Sequence, residues 1–218
     1  MPQIPKRANH NDADARRLAE QLLPMWTGDV AFVVSELQAL GTNDPTGRFR
    51  GRLDFDRLGI FGHSFGGAQA LQFCHDNAIC KAGIDIDGIP FGSAVEEGVK
   101  QPSMFILSDH SREMSDPASR EVMSEIQSIH DRLPDGGPLI TMRGANHFTF
   151  SDQILLKSQF LIAGLRIAGV FGNLKGPRGL AITTDYVHTF FDVYLNGAPA
   201  SQLASLASKY SEVEISGR

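Results

Sequence analysis

Cysteine and long apolar runs are scarce in this 218-residue chain, and each scarcity excludes a class of protein. Two cysteines, Cys74 and Cys80, are too few for a disulfide scaffold or a self-contained zinc site. No apolar run approaches the roughly 18–20 residues that span a bilayer, so no transmembrane segment is expected. The opening MPQIPKRANHND has no apolar stretch of the kind that secretory leaders carry, so a cytoplasmic location is the default expectation. Basic residues are outnumbered 20 to 25, a net charge of −5, which argues against a nucleic-acid-binding surface. Neither H-E-x-x-H, a paired C-x-x-C, a Walker A element nor G-x-G-x-x-G occurs, so no metal and no cofactor is expected. What is present is ordinary globular composition, 42% hydrophobic and 21% charged, which suits one core and a single domain over 1–218. Glycine, at 22 residues, exceeds the usual share of about 7%, so tight turns are expected.

Along the chain, residues 1–57 read as a helical run-in, 58–150 as a strand–helix core and 151–218 as C-terminal helices. Apolar residues recur at helical spacing from Asp12 to Leu40, and Pro24 and Gly28 are expected to split that stretch into two helices. Short apolar strands are expected at Leu58–His63, Lys81–Asp87, Ser103–Ser108 and Leu139–Arg143. Helices are expected at Gly66–Asp76, at Pro117–Leu133 capped by Asp116, at Asp152–Val170 and at Thr183–Leu195. Strands this continuously apolar, alternating with helices, imply an α/β fold: a mostly parallel sheet of about four or more strands, covered by helices on both faces.

Gly62-His63-Ser64-Phe65-Gly66 matches G-x-S-x-G. The pattern is short and weakly specific by itself, but here it falls where an apolar strand meets a helix, the setting of a nucleophile elbow. Glycines at 62 and 66 are expected to relieve crowding in the strained turn. Ser64 then stands at the C-terminal end of a parallel strand, where open α/β sheets bind ligands, and the following helix offers the Phe65 N–H to a developing oxyanion.

A serine hydroxyl needs a general base at neutral pH. His147, in Gly144-Ala145-Asn146-His147-Phe148 after the fourth strand, is the first candidate, and His110 the second. His63 abuts the serine and is expected on the pocket wall; His10, His75, His130 and His188 read as solvated. Two acids, Asp87 and Asp109, end neighbouring strands, and either could orient the imidazole. Asp85, mid-strand on the Asp87 face, reads as a structural carboxyl that needs a partner.

Through GHSFGGA, Gly83-Ile84-Asp85-Ile86-Asp87-Gly88, Gln101-Pro102 with the strand after it, and Met142-Arg143-Gly144-Ala145-Asn146-His147, the chain resembles the platelet-activating factor acetylhydrolase branch of the α/β-hydrolases. The likeness runs from about Leu58 to Asp152. It implies a reduced α/β-hydrolase fold. The family places its triad acid after the strand that follows the elbow; this implies Asp87, 23 residues beyond Ser64, with His147 as base. Phe190-Phe191-Asp192-Val193-Tyr194-Leu195-Asn196-Gly197 resembles the final helix of related esterases and polyester hydrolases. In one respect the chain departs from the family, whose members carry further strands, and a second oxyanion donor, ahead of the elbow. Here 57 residues precede the elbow strand and read as helix and loop, so that donor has no identified residue.

The expected activity is therefore hydrolysis of short-chain carboxylic esters by Ser64, Asp87 and His147 through an acyl-enzyme. His63, Ile89, Phe91 and Phe148, with Phe65, are expected to wall the pocket, and Phe150–Val170, with Ile154, Leu155, Leu156 and Phe160, to cap it. The alternatives are a catalytically impaired binding or assembly subunit, and a thioesterase or amidase using the same residues. A small ester is the expected ligand, and a homodimer the expected assembly.

Overall fold

The computed structural model describes residues 10–110, 114–134, 137–155, 159–167 and 171–216. It opens with helix α1 (His10–Thr42) and a loop, then strand β1 (Gly59–His63), helix α2 (Phe65–Asp76) and strand β2 (Ala82–Ile86). Short helix α3 (Ser93–Glu97), strand β3 (Ser103–Leu107), helix α4 (Pro117–Asp131) and strand β4 (Leu139–Met142) follow. Helices α5 (Gln159–Ile167), α6 (Gly176–Asn196) and α7 (Ser201–Lys209) and strand β5 (Val213–Ser216) complete it. The sheet runs β1-β2-β3-β4-β5 in chain order, its first four strands parallel and β5 antiparallel to β4.

Every residue of β2 and β3 is buried, because helices cover both faces. On one face Ile84, Ile86, Met104, Ile106 and Met142 pack against Ile182, Tyr186 and Phe190 of α6 and Leu203 of α7. On the other, Phe105, Leu107 and Leu139 meet Leu71 and Phe73 of α2 and Ile126 and Ile129 of α4. The two cysteines bond to each other, joining the end of α2 to the start of β2.

Several expectations are corrected. Pro24 does not divide the first helix; α1 runs unbroken for 33 residues. Pro24 is exposed and forfeits one backbone hydrogen bond, but packing of the helix's other face holds it on either side. Leu23 is buried with Ala68 and Phe91, and Arg16 pairs with Glu125 of α4 at 2.6 Å. The segment expected as one helix from Asp152 is a 3₁₀ turn, Asp152–Leu155, followed by α5. The last long helix begins at Gly176, with Pro177 in its first turn, rather than at Thr183. Helices α3 and α7 and strand β5 were not expected. His130 is not solvated: it is buried, and its Nε2–H donates to Gly137 O at 2.7 Å. His75 is likewise mostly buried, its Nδ1–H donating to Gly98 O.

Candidate active site

Ser64 sits between β1 and α2 in the left-handed region, φ 59° and ψ −128°. Its N–H donates to Ile86 O at 2.9 Å, extending the ladder to β2, and its own carbonyl accepts from Gly67 at 2.9 Å. Non-glycine residues avoid positive φ, and Ser64 and Asp87 are the two that adopt it among the described residues. The Ser64 side chain makes no capping bond to α2, so its hydroxyl is not committed to the helix it precedes. The first amides of that helix, Phe65 among them, have no partner within it and carry its positive end.

The glycines of the motif are not equivalent. A Cβ on Gly62 would stand 2.1 Å from Gly66 O, so no side chain fits there. A Cβ on Gly66 would meet nothing within 4 Å, which corrects the expectation that Gly66 relieves crowding. The second close approach belongs to Gly67, whose Cβ would lie 1.9 Å from Asp85 Oδ1.

One strand along, Asp87 follows β2 at φ 52°. Its side chain is 1% exposed and fully engaged. Oδ1 accepts from the Ser108 N–H at 2.7 Å and lies 3.1 Å from His110 Nε2; Oδ2 accepts from the Ser108 hydroxyl at 3.0 Å and from His147 Nδ1 at 2.9 Å. Burial alone would raise the Asp87 pKa, but the bonds from His110, His147 and the Ser108 amide outweigh it, holding the carboxyl well below the usual range. A carboxylate accepts only, so Nδ1 of His147 carries the proton and, in the neutral ring, Nε2 is left basic.

His147 opens a 3₁₀ turn, His147–Phe150, after β4. Asp109, the rival acid, binds the backbone of the same loop instead: its Oδ2 accepts from Gly144 N–H at 3.0 Å and its N–H donates to Ala145 O at 3.1 Å. The structure thus brings Asp87 to the imidazole and Asp109 to the loop that carries it. His110, the second candidate base, reaches the Oδ1 side of Asp87 and lies 3.2 Å from Ser108 Oγ.

His63 supports His147 directly. Its Nε2–H donates to His147 O at 3.1 Å, and the two rings lie 4.6 Å apart. Burial, with the neighbouring His147, depresses the His63 pKa and so favours the neutral ring. His63 thereby braces the loop that carries His147. Ile89 and Phe148 are exposed near the site, Phe148 edge-on to His147 at 5.9 Å. Phe91 is not an open wall: it is 7% exposed, packed beneath α1 with Leu23 and Ala68. Trp26, which helical spacing assigns to the apolar pattern of the first helix and not to the site, meets Phe65 edge-on at 4.5 Å and brings α1 to the rim of the site. Its signal was available, as the single tryptophan of the chain on a half-polar helix. In the expected cap, Phe160 and Leu161 of α5 and Leu155 before it are exposed, while Leu156 lies outside the described residues and nothing is described of the Ile154 side chain. Among the described residues, no group of three or more His, Cys, Asp or Glu side chains could hold a metal ion, and no helix is long and apolar enough to cross a membrane.

The model of the family described as platelet-activating factor acetylhydrolase, isoform II, matches residues 18–195. A probable 1-alkyl-2-acetylglycerophosphocholine esterase of Arthroderma benhamiae is 28% identical over 206 residues, covering 88% of this chain and 49% of that protein. The platelet-activating factor acetylhydrolase of Bos taurus is 32% identical over 127 residues, 57% of this chain and 25% of the relative. A ferulic acid esterase from Streptomyces cinnamoneus superposes with a TM-score of 0.72 at 26% identity, over 90% of this chain and 55% of its own. The chain spans about half the length, or less, of the curated relatives it matches.

Proposed function

The chain belongs to the platelet-activating factor acetylhydrolase, isoform II, family, and on that premise we propose that it hydrolyses carboxylic esters of short acyl chain at Ser64. The observation that carries the reading is the Asp87–His147 hydrogen bond of 2.9 Å, formed beside a serine held in a left-handed elbow. In this reading His147 Nε2 takes the Ser64 proton as the hydroxyl attacks the ester carbonyl. Asp87 fixes the imidazole tautomer and stabilises the imidazolium. The Phe65 N–H, at the positive end of α2, receives the tetrahedral oxyanion. His147 then protonates the leaving alcohol, and water repeats the cycle on the acyl-enzyme. The substrate class is a small ester, approached over Ile89 and Phe148 with Trp26 and Phe65 at the rim.

The test is a panel of p-nitrophenyl esters from acetate to octanoate, assayed with wild type and Ser64→Ala. Turnover is expected to be highest on the shortest chains, with kcat at least about 10³-fold lower in Ser64→Ala. Equal rates for the two proteins would remove Ser64 from the chemistry. Thioester and amide analogues in the same panel separate ester specificity from the same residues acting on other acyl bonds.

The reading extends to self-association. Strand β1 is one edge of the sheet among the described residues, and Phe61 on it is 57% exposed. A symmetric dimer is the assembly expected for such a surface. Sedimentation should show a species of twice 23.7 kDa at micromolar concentration; a species of 23.7 kDa alone would overturn it.

A further inference from the structure

Asp85 is a fully buried carboxyl that this chemistry does not use. It lies in β2 with no solvent exposure, on the sheet face covered by α2. Oδ1 accepts the Gly88 N–H at 2.8 Å, and Oδ2 has no hydrogen-bond partner among the described residues. Burying an acid so incompletely satisfied costs stability, and its position suggests what it does for the site. Oδ1 occupies the space where a side chain on Gly67, in the first turn of α2, would begin. It equally blocks a side chain on Gly88, whose Cβ would stand 2.3 Å from Oδ1 and 2.6 Å from Ser64 O. One carboxyl is therefore packed between the backbone just after the serine and the backbone just after the acid.

We propose that Asp85 is a positioning residue: wedged between Gly67 and Gly88, its carboxyl sets the spacing of the Ser64 elbow and the Asp87 turn. Both segments are in left-handed conformations that the chain would otherwise leave. The Gly88 hydrogen bond closes the Asp87 turn, while contact with Gly67 stops α2 from settling onto β2. The inference rests on the ester-hydrolase reading of the site.

The charge state of Asp85 follows from the same packing. Burial raises its pKa to about 8, opposed by the Gly88 N–H and reinforced by the charge of Asp87. Its strand neighbours Gly62 and Phe105 and the facing Gly67 bring no charge; beyond Asp87 stand His110 and His147. At neutral pH the residue is a neutral acid. Ionisation places a second negative charge beside Asp87.

The experiment compares wild type, Asp85→Asn and Asp85→Leu on p-nitrophenyl acetate from pH 6 to 9.5, with melting temperatures over the same range. Asparagine keeps the acceptor for Gly88 and cannot ionise; leucine loses the acceptor. Asp85→Leu is expected to lower kcat about 10- to 100-fold with KM within about twofold, and Asp85→Asn to restore most of that turnover. Wild-type kcat should fall as pH rises through about 8, and that fall should be missing in Asp85→Asn. Stability gives a second readout. An unfolded aspartate titrates near about 4, so wild-type stability should decline from there to about pH 8 and then level, widening its gap from Asp85→Asn. Wild-type turnover in Asp85→Leu, an Asp85→Asn as impaired as leucine, or identical pH profiles for wild type and Asp85→Asn would each overturn the assignment. The last comparison holds even if Asp85→Leu does not fold. A wild type inactive on every ester would overturn the ester-hydrolase reading, whereas an active wild type matched by Asp85→Leu overturns the role of Asp85 alone.

Discussion

Asp87→Asn is expected to lower kcat on p-nitrophenyl acetate by about 10⁴-fold with KM little changed, whereas Asp109→Asn should cost no more than about tenfold. The contrast follows from what each carboxyl touches. Asp87 accepts from His147 Nδ1 at 2.9 Å. An asparagine there can present its NH₂ to that nitrogen, which would select the wrong tautomer and leave Nε2 protonated just when a base is needed. It would also remove the charge that stabilises the imidazolium. Asp109 accepts from the Gly144 N–H at 3.0 Å, a bond that an asparagine oxygen can make as well. Its substitution is therefore felt through the placement of the His147 loop rather than at the imidazole itself. The measurement is steady-state kinetics of the two variants side by side, with melting curves to show that both are folded. The opposite ranking, Asp109→Asn crippled and Asp87→Asn active, would transfer the orienting role to Asp109.

The second large effect concerns two glycines that the motif treats alike. Gly62→Ala is expected to destabilise the fold by about 3 kcal/mol or more, equivalent to roughly 6–12 °C in Tm for a domain of this size. The added methyl would meet the Gly66 carbonyl at 2.1 Å, and backbone cannot swing aside as a flexible side chain can. Relief requires α2 to move away from β1, carrying the Phe65 N–H and the Ser64 hydroxyl out of register, so turnover should fall with stability. Gly66→Ala should leave Tm unchanged or raise it slightly. Its methyl meets nothing within 4 Å, and alanine is favoured over glycine within a helix by about 0.5–1 kcal/mol. Thermal melts of the two variants decide the matter: a Gly66→Ala protein as unstable as Gly62→Ala would refute the packing described for the elbow.

Much of the scaffold could be read from residue order because its strands are short apolar runs bounded by turn residues. LGIFGH, KAGIDID, SMFILS and LITMR each fall within one or two residues of a strand. Buried on both faces, they need no alternation to be recognised. Strand β5 is not legible for the opposite reason: of its four residues only Val213 is buried, so it carries almost no pattern and forms because β4 offers an edge. At Pro24 local propensity predicts a break, and tertiary packing overrides it. The helix is held by Leu23 beneath and by the Arg16–Glu125 pair, neither of which proximity in sequence could suggest.

At the site, residue order alone determined that a serine would stand at a strand–helix junction, that a histidine would follow the fourth strand, and that two strand ends would carry an aspartate each. These are local facts, set by hydrophobic runs and the turn residues that stop them. Which aspartate meets the imidazole, that His63 lies under His147, and that Asp85 fills the space between Gly67 and Gly88 were decided by tertiary structure. They depend on distances of a few ångströms between segments far apart in the chain, 60 residues for Asp87 and His147 and 84 for His63 and His147. Those distances are fixed by sheet register and by the packing of α2 on β1 and β2, and no local spacing encodes them.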